Sequence, residues 1–145
     1  MNSLRRALAA ALVFGLVAPL RALAAWNKEA FGAKTPGDAL KHLGVPSASP
    51  STDLHIDAPQ IAENGAVVPI GITSKVPQTD SIAILIEKNP NMLAAVFDIP
   101  PGTDPSLSTR IKMGQTSSVY ALVKANGRYY VTSKEIKVTL GGCGG

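Results

Sequence analysis

Short stretches of alternating apolar and polar residues, separated by turn signals, dominate the chain after Asp53. Val68, Ile70 and Ile72, for example, alternate with smaller or polar residues, and similar stretches recur as far as Leu140. Side chains two residues apart lie on the same face of a strand, so each stretch predicts a strand with a buried face. About seven strands with turns every 8 to 12 residues predict a mainly β protein, an antiparallel sandwich over residues 53–140.

One strand differs from the others because it is apolar on both faces. Ile82, Ile84 and Ile86 alternate with Ala83 and Leu85, which are also apolar. We therefore expect this strand to be covered on both sides.

Proline, asparagine and glycine predict irregular positions in the sheets. Pro69 has no N–H to donate, which predicts an edge strand or a bulge. The pairs Asn64-Gly65 and Asn126-Gly127 predict tight turns, because both residue types tolerate positive φ. In the last strand the apolar residues change from one face to the other between Val131 and Ile136, which predicts a bulge near Ser133.

Residues 25–52 are predicted to hold a short N-terminal helix and a linker. Thr35 can cap the helix, Pro36 suits its first turn, and Asp38 can return a hydrogen bond to the cap backbone. Gly44 then ends the helix. Residues 46–52, with the sequence PSASPST, have the composition of a polar linker.

Residues 1–24 have the three parts of a secretory signal peptide. Arg5 and Arg6 precede an apolar run from Ala7 to Leu20, and Ala22-Leu23-Ala24 supplies small residues at the cleavage positions. The run is too short to cross the ~30 Å hydrocarbon core of a bilayer. We expect cleavage after Ala24 and export, and the paired arginines leave the twin-arginine route open beside the general one.

Removal of this segment changes the charge of the chain. The whole sequence carries 14 basic and 10 acidic residues, a net charge of +4. Three of the basic residues lie in the signal peptide, which leaves 11 basic and 10 acidic residues and a net charge of +1. A basic surface for nucleic acid therefore loses its support, and an aromatic content of 5% argues against stacking on single strands.

Candidate catalytic and metal-binding residues are sparse. His42 and His55 are not accompanied by an HExxH or CxxC motif, so no protein-built metal site is expected. The chain also has no GxSxG nucleophile motif. Arg110 and Lys112 would project from one side of their strand and could meet an anionic partner, although strand alternation alone produces such pairs.

The C-terminus, Gly141-Gly142-Cys143-Gly144-Gly145, carries the strongest functional signal. Cys143 is the only cysteine, so an internal disulfide is impossible. Its glycine neighbours have no side chains, which predicts a thin, flexible arm with an exposed thiol. The arm spans at most ~10 Å from Gly141 to Cys143 at ~3.3–3.6 Å per residue. No neighbouring residue activates the thiol, so it is predicted to be an attachment point that other proteins activate.

Three other interpretations of this arm remain open. Cys143 could form an intermolecular disulfide that links two sandwich domains in a structural or redox dimer. The Gly145 carboxylate could instead be the point of linkage. The segment could also be a disordered tail with an incidental cysteine.

The terminal sequence KVTLGGCGG (Lys137–Gly145) resembles the C-terminal signature of the SoxY family, the sulfur carriers of periplasmic thiosulfate oxidation. Ile61–Ile70, Ser81–Asn91 and Ser108–Gly114 resemble the body of the same family. The resemblance implies an immunoglobulin-like sandwich with a mobile C-terminal arm. It also implies a periplasmic protein, exported by the twin-arginine route, that forms a heterodimer with a second subunit, SoxZ.

The resemblance further implies a role for Cys143 as the covalent attachment point of the sulfur substrate. The haem enzyme SoxAX would form a cysteine S-thiosulfonate there, and SoxB would release sulfate by hydrolysis. SoxCD, in organisms that have it, would oxidise the remaining sulfane sulfur. The carrier itself would bind no cofactor and catalyse no step.

Overall fold

The structure is a computed structural model that describes residues 27–139. The predicted signal peptide and the arm, residues 141–145, lie outside the described residues. Two short helices come first in the described part: α1 (Lys28–Gly32), which the sequence analysis missed, and α2 (Pro36–His42). Neither of them is long and apolar enough to span a bilayer.

The predicted cap of α2 is confirmed. The Thr35 hydroxyl accepts a hydrogen bond from the Asp38 N–H at 3.1 Å and donates one to the Asp38 carboxylate at 2.7 Å. The Asp38 carboxylate thus contacts the cap hydroxyl, whereas we had expected it to contact the cap backbone. Gly44 follows the helix with a φ of 70°, a value that favours glycine.

Nine strands follow in residues 49–138, and they form two sheets. The larger sheet has the order β1-β9-β8-β5-β6, with β3 also paired to β9, and the smaller has the order β2-β4-β7. The strands are β1 (Ser49–Pro50), β2 (Leu54–Asp57), β3 (Ile61–Ala62), β4 (Val68–Ser74), β5 (Thr79–Ile86), β6 (Leu93–Asp98), β7 (Ser106–Ile111), β8 (Ser117–Ala125) and β9 (Arg128–Val138).

The two sheets enclose the main core, as the alternating pattern predicted. The inward rows of β4, β5 and β8 supply most of the fully buried side chains, including Ile70, Ile84 and Val123. Strands β2, β4 and β7 lie in one sheet and β6, β5, β8 and β9 in the other, the connectivity of an immunoglobulin-like sandwich. The predicted fold class is therefore confirmed.

A second apolar cluster covers the outer face of the larger sheet. Ala30 and Ala39 of the two helices belong to the same buried cluster as Ala83 and Leu85 of β5. Because Ile82, Ile84 and Ile86 face the main core, β5 is covered on both sides, as expected.

The same layer explains why the predicted bulge near Ser133 is wrong. Strands β8 and β9 pair in one unbroken register from Ser117 opposite Ile136 to Ala125 opposite Arg128. Val131 packs in the outer cluster, whereas Ile136 is buried in the main core. The apparent change of phase therefore reflects apolar cover on both faces of a regular strand.

Two further expectations need correction. Strand β4 is the middle strand of its sheet, so Pro69 does not mark an edge strand. Pro69 pairs in register with Arg110 of β7, but β2 pairs only with the later residues of β4, from Gly71 onward. Part of the predicted linker is strand β1, which runs parallel to β9 at Tyr130 and Val131. The Asn126-Gly127 hairpin is confirmed, with φ values of 49° and 72°.

Candidate functional site

The last strand ends in a clamp of backbone hydrogen bonds, from which the chain continues toward Cys143. We call Lys137–Thr139 the arm root. The Lys137 N–H donates to Gln60 O at 2.9 Å, and the Thr139 N–H donates to Ala62 O at 3.1 Å. These bonds belong to the parallel pairing of β9 with β3. They fix the position and direction in which the chain leaves the sandwich.

Thr116 completes the clamp from the other side. Its hydroxyl accepts a hydrogen bond from the Val138 N–H at 3.0 Å. Three consecutive N–H groups of the arm root are therefore hydrogen-bonded. Ile136 immediately precedes the arm root in the chain. Its side chain is fully buried in the main core and holds this end of β9 in place.

Gly65 packs against the inner side of the arm root. A Cβ at this position would lie 2.8 Å from Val138 Cγ1 and would collide with the carbonyl oxygen of Met113. Gly65 does not have positive φ, the reason for which glycine was expected here; among the described glycines, Gly44, Gly102 and Gly127 do. The glycine is required because two backbone segments approach closely.

The loops at this end of the sandwich are connected by side-chain hydrogen bonds. Asn89 Nδ2 donates to Lys112 O at 2.8 Å, and Asn89 Oδ1 accepts from the Gly114 N–H at 3.2 Å. The buried Ser117 hydroxyl accepts from the Lys88 N–H at 3.0 Å. The connection after β5 is therefore joined to the one between β7 and β8, beside the strand that carries the arm root.

The outer surface of the arm root is partly apolar. Ile61 is 56% exposed and lies opposite Lys137 in the register of β3 and β9. The next pair, Ala62 and Val138, faces inward, so Ile61 and Lys137 project outward together. Val67, which is 50% exposed, follows the turn that contains Gly65.

The other candidate residues do not form a common site. His42 Nδ1 lies 3.6 Å from a carboxylate oxygen of Glu29, whereas His55 is exposed on β2. Within residues 27–139, no three His, Cys, Asp or Glu side chains are grouped to hold a metal ion. Arg110 and Lys112 are both exposed, and their contact with an anionic partner stays a prediction.

The residues predicted to form the arm lie outside the described residues. Cys143 and Gly141, Gly142, Gly144 and Gly145 therefore remain predictions from the sequence. The structure adds Gly65, Thr116 and strand β3, which sequence reasoning missed as parts of the site. A cavity of about 690 Å³ lies at the opposite end of the strands, lined by Ser74–Asp80, Ile99–Thr103, Pro105 and Asn126.

The described residues thus define a small immunoglobulin-like domain whose final strand is clamped where the chain continues to its C-terminus. The chain belongs to the SoxY family: the family model described as "Sulfur oxidation protein SoxY" matches residues 40–143. The match begins at Leu40, near the end of α2, runs through the whole sandwich, and its last residue is Cys143. The family resemblance predicted from the sequence is therefore confirmed.

A solved structure supports this assignment. The chain is 34% identical to the sulfur carrier protein SoxY from Chlorobium limicola f thiosulfatophilum. The two structures superpose with a TM-score of 0.63, and the alignment covers 71% of this chain and 96% of that one. A comparison with curated proteins gave no match.

Proposed function

We propose that this protein is a covalent carrier of sulfur intermediates in thiosulfate oxidation, with Cys143 as its attachment point. The observation that carries the proposal is the family match, which runs through the sandwich and the arm to Cys143. The clamped arm root supports it, because a carrier has to present its arm from a firm base. A similar solved protein is itself described as a sulfur carrier.

The first step would load thiosulfate onto the thiol. A bond forms between Cys143 Sγ and the outer sulfur of thiosulfate, while the thiol proton and two electrons leave. The electrons would pass to the haem enzyme SoxAX, since the carrier holds no electron acceptor of its own in this proposal. The product is a cysteine S-thiosulfonate.

The second step would release sulfate by hydrolysis. A water oxygen bonds to the sulfonate sulfur, and the bond between that sulfur and the neighbouring one breaks. Sulfate and two protons leave, and the electron pair of the broken bond stays with the Cys143 persulfide. SoxB would catalyse this step, and SoxCD would oxidise the outer sulfur that remains.

The carrier's own contribution would be delivery. From Thr139 to Cys143 the chain extends at most ~13–14 Å at ~3.3–3.6 Å per residue. The glycines would let the thiol enter a narrow channel, and the clamp at Gln60, Ala62 and Thr116 would keep the base of the arm in place. We further propose that the mature protein acts in the periplasm after removal of residues 1–24, as a heterodimer with SoxZ.

Intact-mass analysis tests the proposal directly. The mature protein, residues 25–145, is incubated with SoxZ, SoxAX and thiosulfate. We expect a mass gain of one S2O3 unit in the wild type and none in Cys143→Ser, whose unfolding midpoint should be unchanged. A variant lacking Gly145 should still be loaded. Absence of the adduct in the wild type, or its presence in Cys143→Ser, would contradict the proposal.

The same samples distinguish the carrier from a disulfide-linked dimer. Non-reducing electrophoresis separates the reduced monomer of the chain from a linked dimer. The carrier proposal requires that the reduced form is the one loaded. Activity confined to the linked dimer would favour the structural alternative.

A further inference from the structure

Of the two most exposed large apolar side chains, one lies beside the arm root and the other follows the turn that packs against it. Among the described residues, the exposed large hydrophobic side chains are Ile61 at 56%, Val67 at 50% and Val96 at 39%. Ile61 lies on β3, which forms the clamp, and Val67 follows the turn that packs against Val138. Val96 lies on β6, which is on the opposite edge of the larger sheet.

Exposure alone does not identify a binding surface, because single apolar side chains are common on soluble proteins. The length of chain beyond the described residues is the additional observation. Four residues separate Thr139 from Cys143, so the thiol reaches at most ~13–14 Å from the arm root. An enzyme that takes the thiol into an enclosed catalytic site must therefore bring its own surface close to the arm root.

We propose that Ile61, Val67 and Lys137 form the docking surface for the enzyme that receives the arm. This inference rests on the proposed carrier function. The matching enzyme surface is an apolar rim around the mouth of an arm-sized channel, with a carboxylate opposite Lys137. Burial of the two apolar side chains supplies affinity, and the paired charges orient the carrier.

The surface also fits the requirement for release. A carrier has to leave one enzyme before it visits the next, so a small contact of two apolar side chains and one charge suits it better than a large one. Binding through this surface would fix the arm at the channel mouth, and the enzyme would need no contact with the rest of the sandwich.

The test replaces the two apolar side chains by threonine, which keeps the β-branched shape at each position. The variant Ile61→Thr/Val67→Thr is compared with Val96→Thr as a matched control. The initial rate of Cys143 loading by SoxAX is measured against carrier concentration. We expect the KM for the carrier to rise about tenfold in the double variant, equivalent to ~1.4 kcal/mol, with kcat unchanged. The control should behave like the wild type.

Two further measurements keep the result interpretable. The rate at which a small aromatic disulfide reagent modifies Cys143 should be the same in all variants, because it needs no docking. The urea midpoint should also be unchanged. If the midpoint of the double variant shifts, the KM measurement is repeated with the single variant Val67→Thr, which leaves β3 intact.

Several outcomes would overturn the docking surface. One is a wild-type KM in the double variant, and another is an equal rise of KM in Val96→Thr. A third is that the double variant no longer forms the heterodimer with SoxZ, which would assign the surface to the subunit interface. If the double variant is loaded normally, only the docking surface fails. If the wild type is not loaded at all, the carrier function fails and the inference fails with it.

Discussion

The Gly65 carbonyl accepts a hydrogen bond from the Met113 N–H at 2.7 Å, and the two backbones approach so closely that a Cβ at Gly65 would collide with Met113 O. This contact connects the turn after β3 to the segment after β7. Val138 lies against the same glycine, 2.8 Å from where that Cβ would be. The position of the arm root therefore depends on the absence of a side chain at Gly65.

We predict that Gly65→Ala destabilises the protein by about 1–3 kcal/mol, because backbone atoms have to move to accommodate the methyl group. Urea unfolding of the purified mature protein measures the change. Gly114→Ala is the matched control, since a Cβ there meets nothing within 4 Å, and its effect should stay within about 0.5 kcal/mol. Equal midpoints for the two variants would show that the close approach does not matter.

The Ser117 hydroxyl supports the same end of the sandwich. It accepts a hydrogen bond from the Lys88 N–H at 3.0 Å and donates one to Ser118 O at 3.1 Å, and the residue is 2% exposed. We predict that Ser117→Ala costs about 1–3 kcal/mol, because it leaves a part-buried N–H unpaired. The exposed Ser133 provides the comparison: Ser133→Ala should change the unfolding free energy by less than about 0.5 kcal/mol. A similar loss in both would refute the assignment.

The longer strands could be predicted from the sequence because their periods are local. Ile82 to Ile86 identify β5, and the alternation of Val119, Ala121 and Val123 identifies β8, without knowledge of their partners. Strands β1 and β3 have two residues each, too few to display a period, and both pair with the distant β9. The bulge near Ser133 was predicted wrongly because a helical layer over the sheet cannot be read from the strand itself.

The residues of the candidate site also fall into those that the sequence predicts and those that it does not. Cys143 and its glycines stand out in the sequence because of their composition, and the family assignment follows from them and from the body segments. Thr116 does not stand out, and Gly65 stands out only as a turn residue, since their roles at the arm root come from atoms of segments more than 20 residues away in the chain. A contact of this kind depends on the folded arrangement, which no local pattern encodes.

Glycines at two positions should respond to alanine in opposite directions. Gly127 has a φ of 72° in the β8–β9 hairpin, so Gly127→Ala should cost about 1–2 kcal/mol. Gly37 lies inside α2, where a Cβ meets nothing within 4 Å, so Gly37→Ala should stabilise by about 0.5–1 kcal/mol. Thermal unfolding of the two variants beside the wild type measures both effects. Shifts of the same sign would contradict the backbone argument.

The hydroxyl of Thr116 should control local opening of the arm root. Thr116→Val keeps the shape of the side chain but removes the acceptor for the Val138 N–H. We predict that amide hydrogen exchange at Val138 becomes about tenfold faster, equivalent to the ~1.4 kcal/mol typical of one lost hydrogen bond. Heteronuclear NMR on the labelled mature protein resolves this amide.

The distribution of the change distinguishes a local role from general destabilisation. Weakening of the whole fold would accelerate exchange at core amides such as Val123 as much as at Val138, whereas loosening of the clamp would be confined to Val138 and Thr139. Thr132→Val is the control. Thr132 lies on β9 like Val138, but opposite Ala121, so this change should leave the exchange rate of the Val138 amide unchanged. If Thr116→Val also leaves Val138 unchanged, the two bonds to β3 hold the arm root without Thr116, and the clamp is confined to one side of the strand.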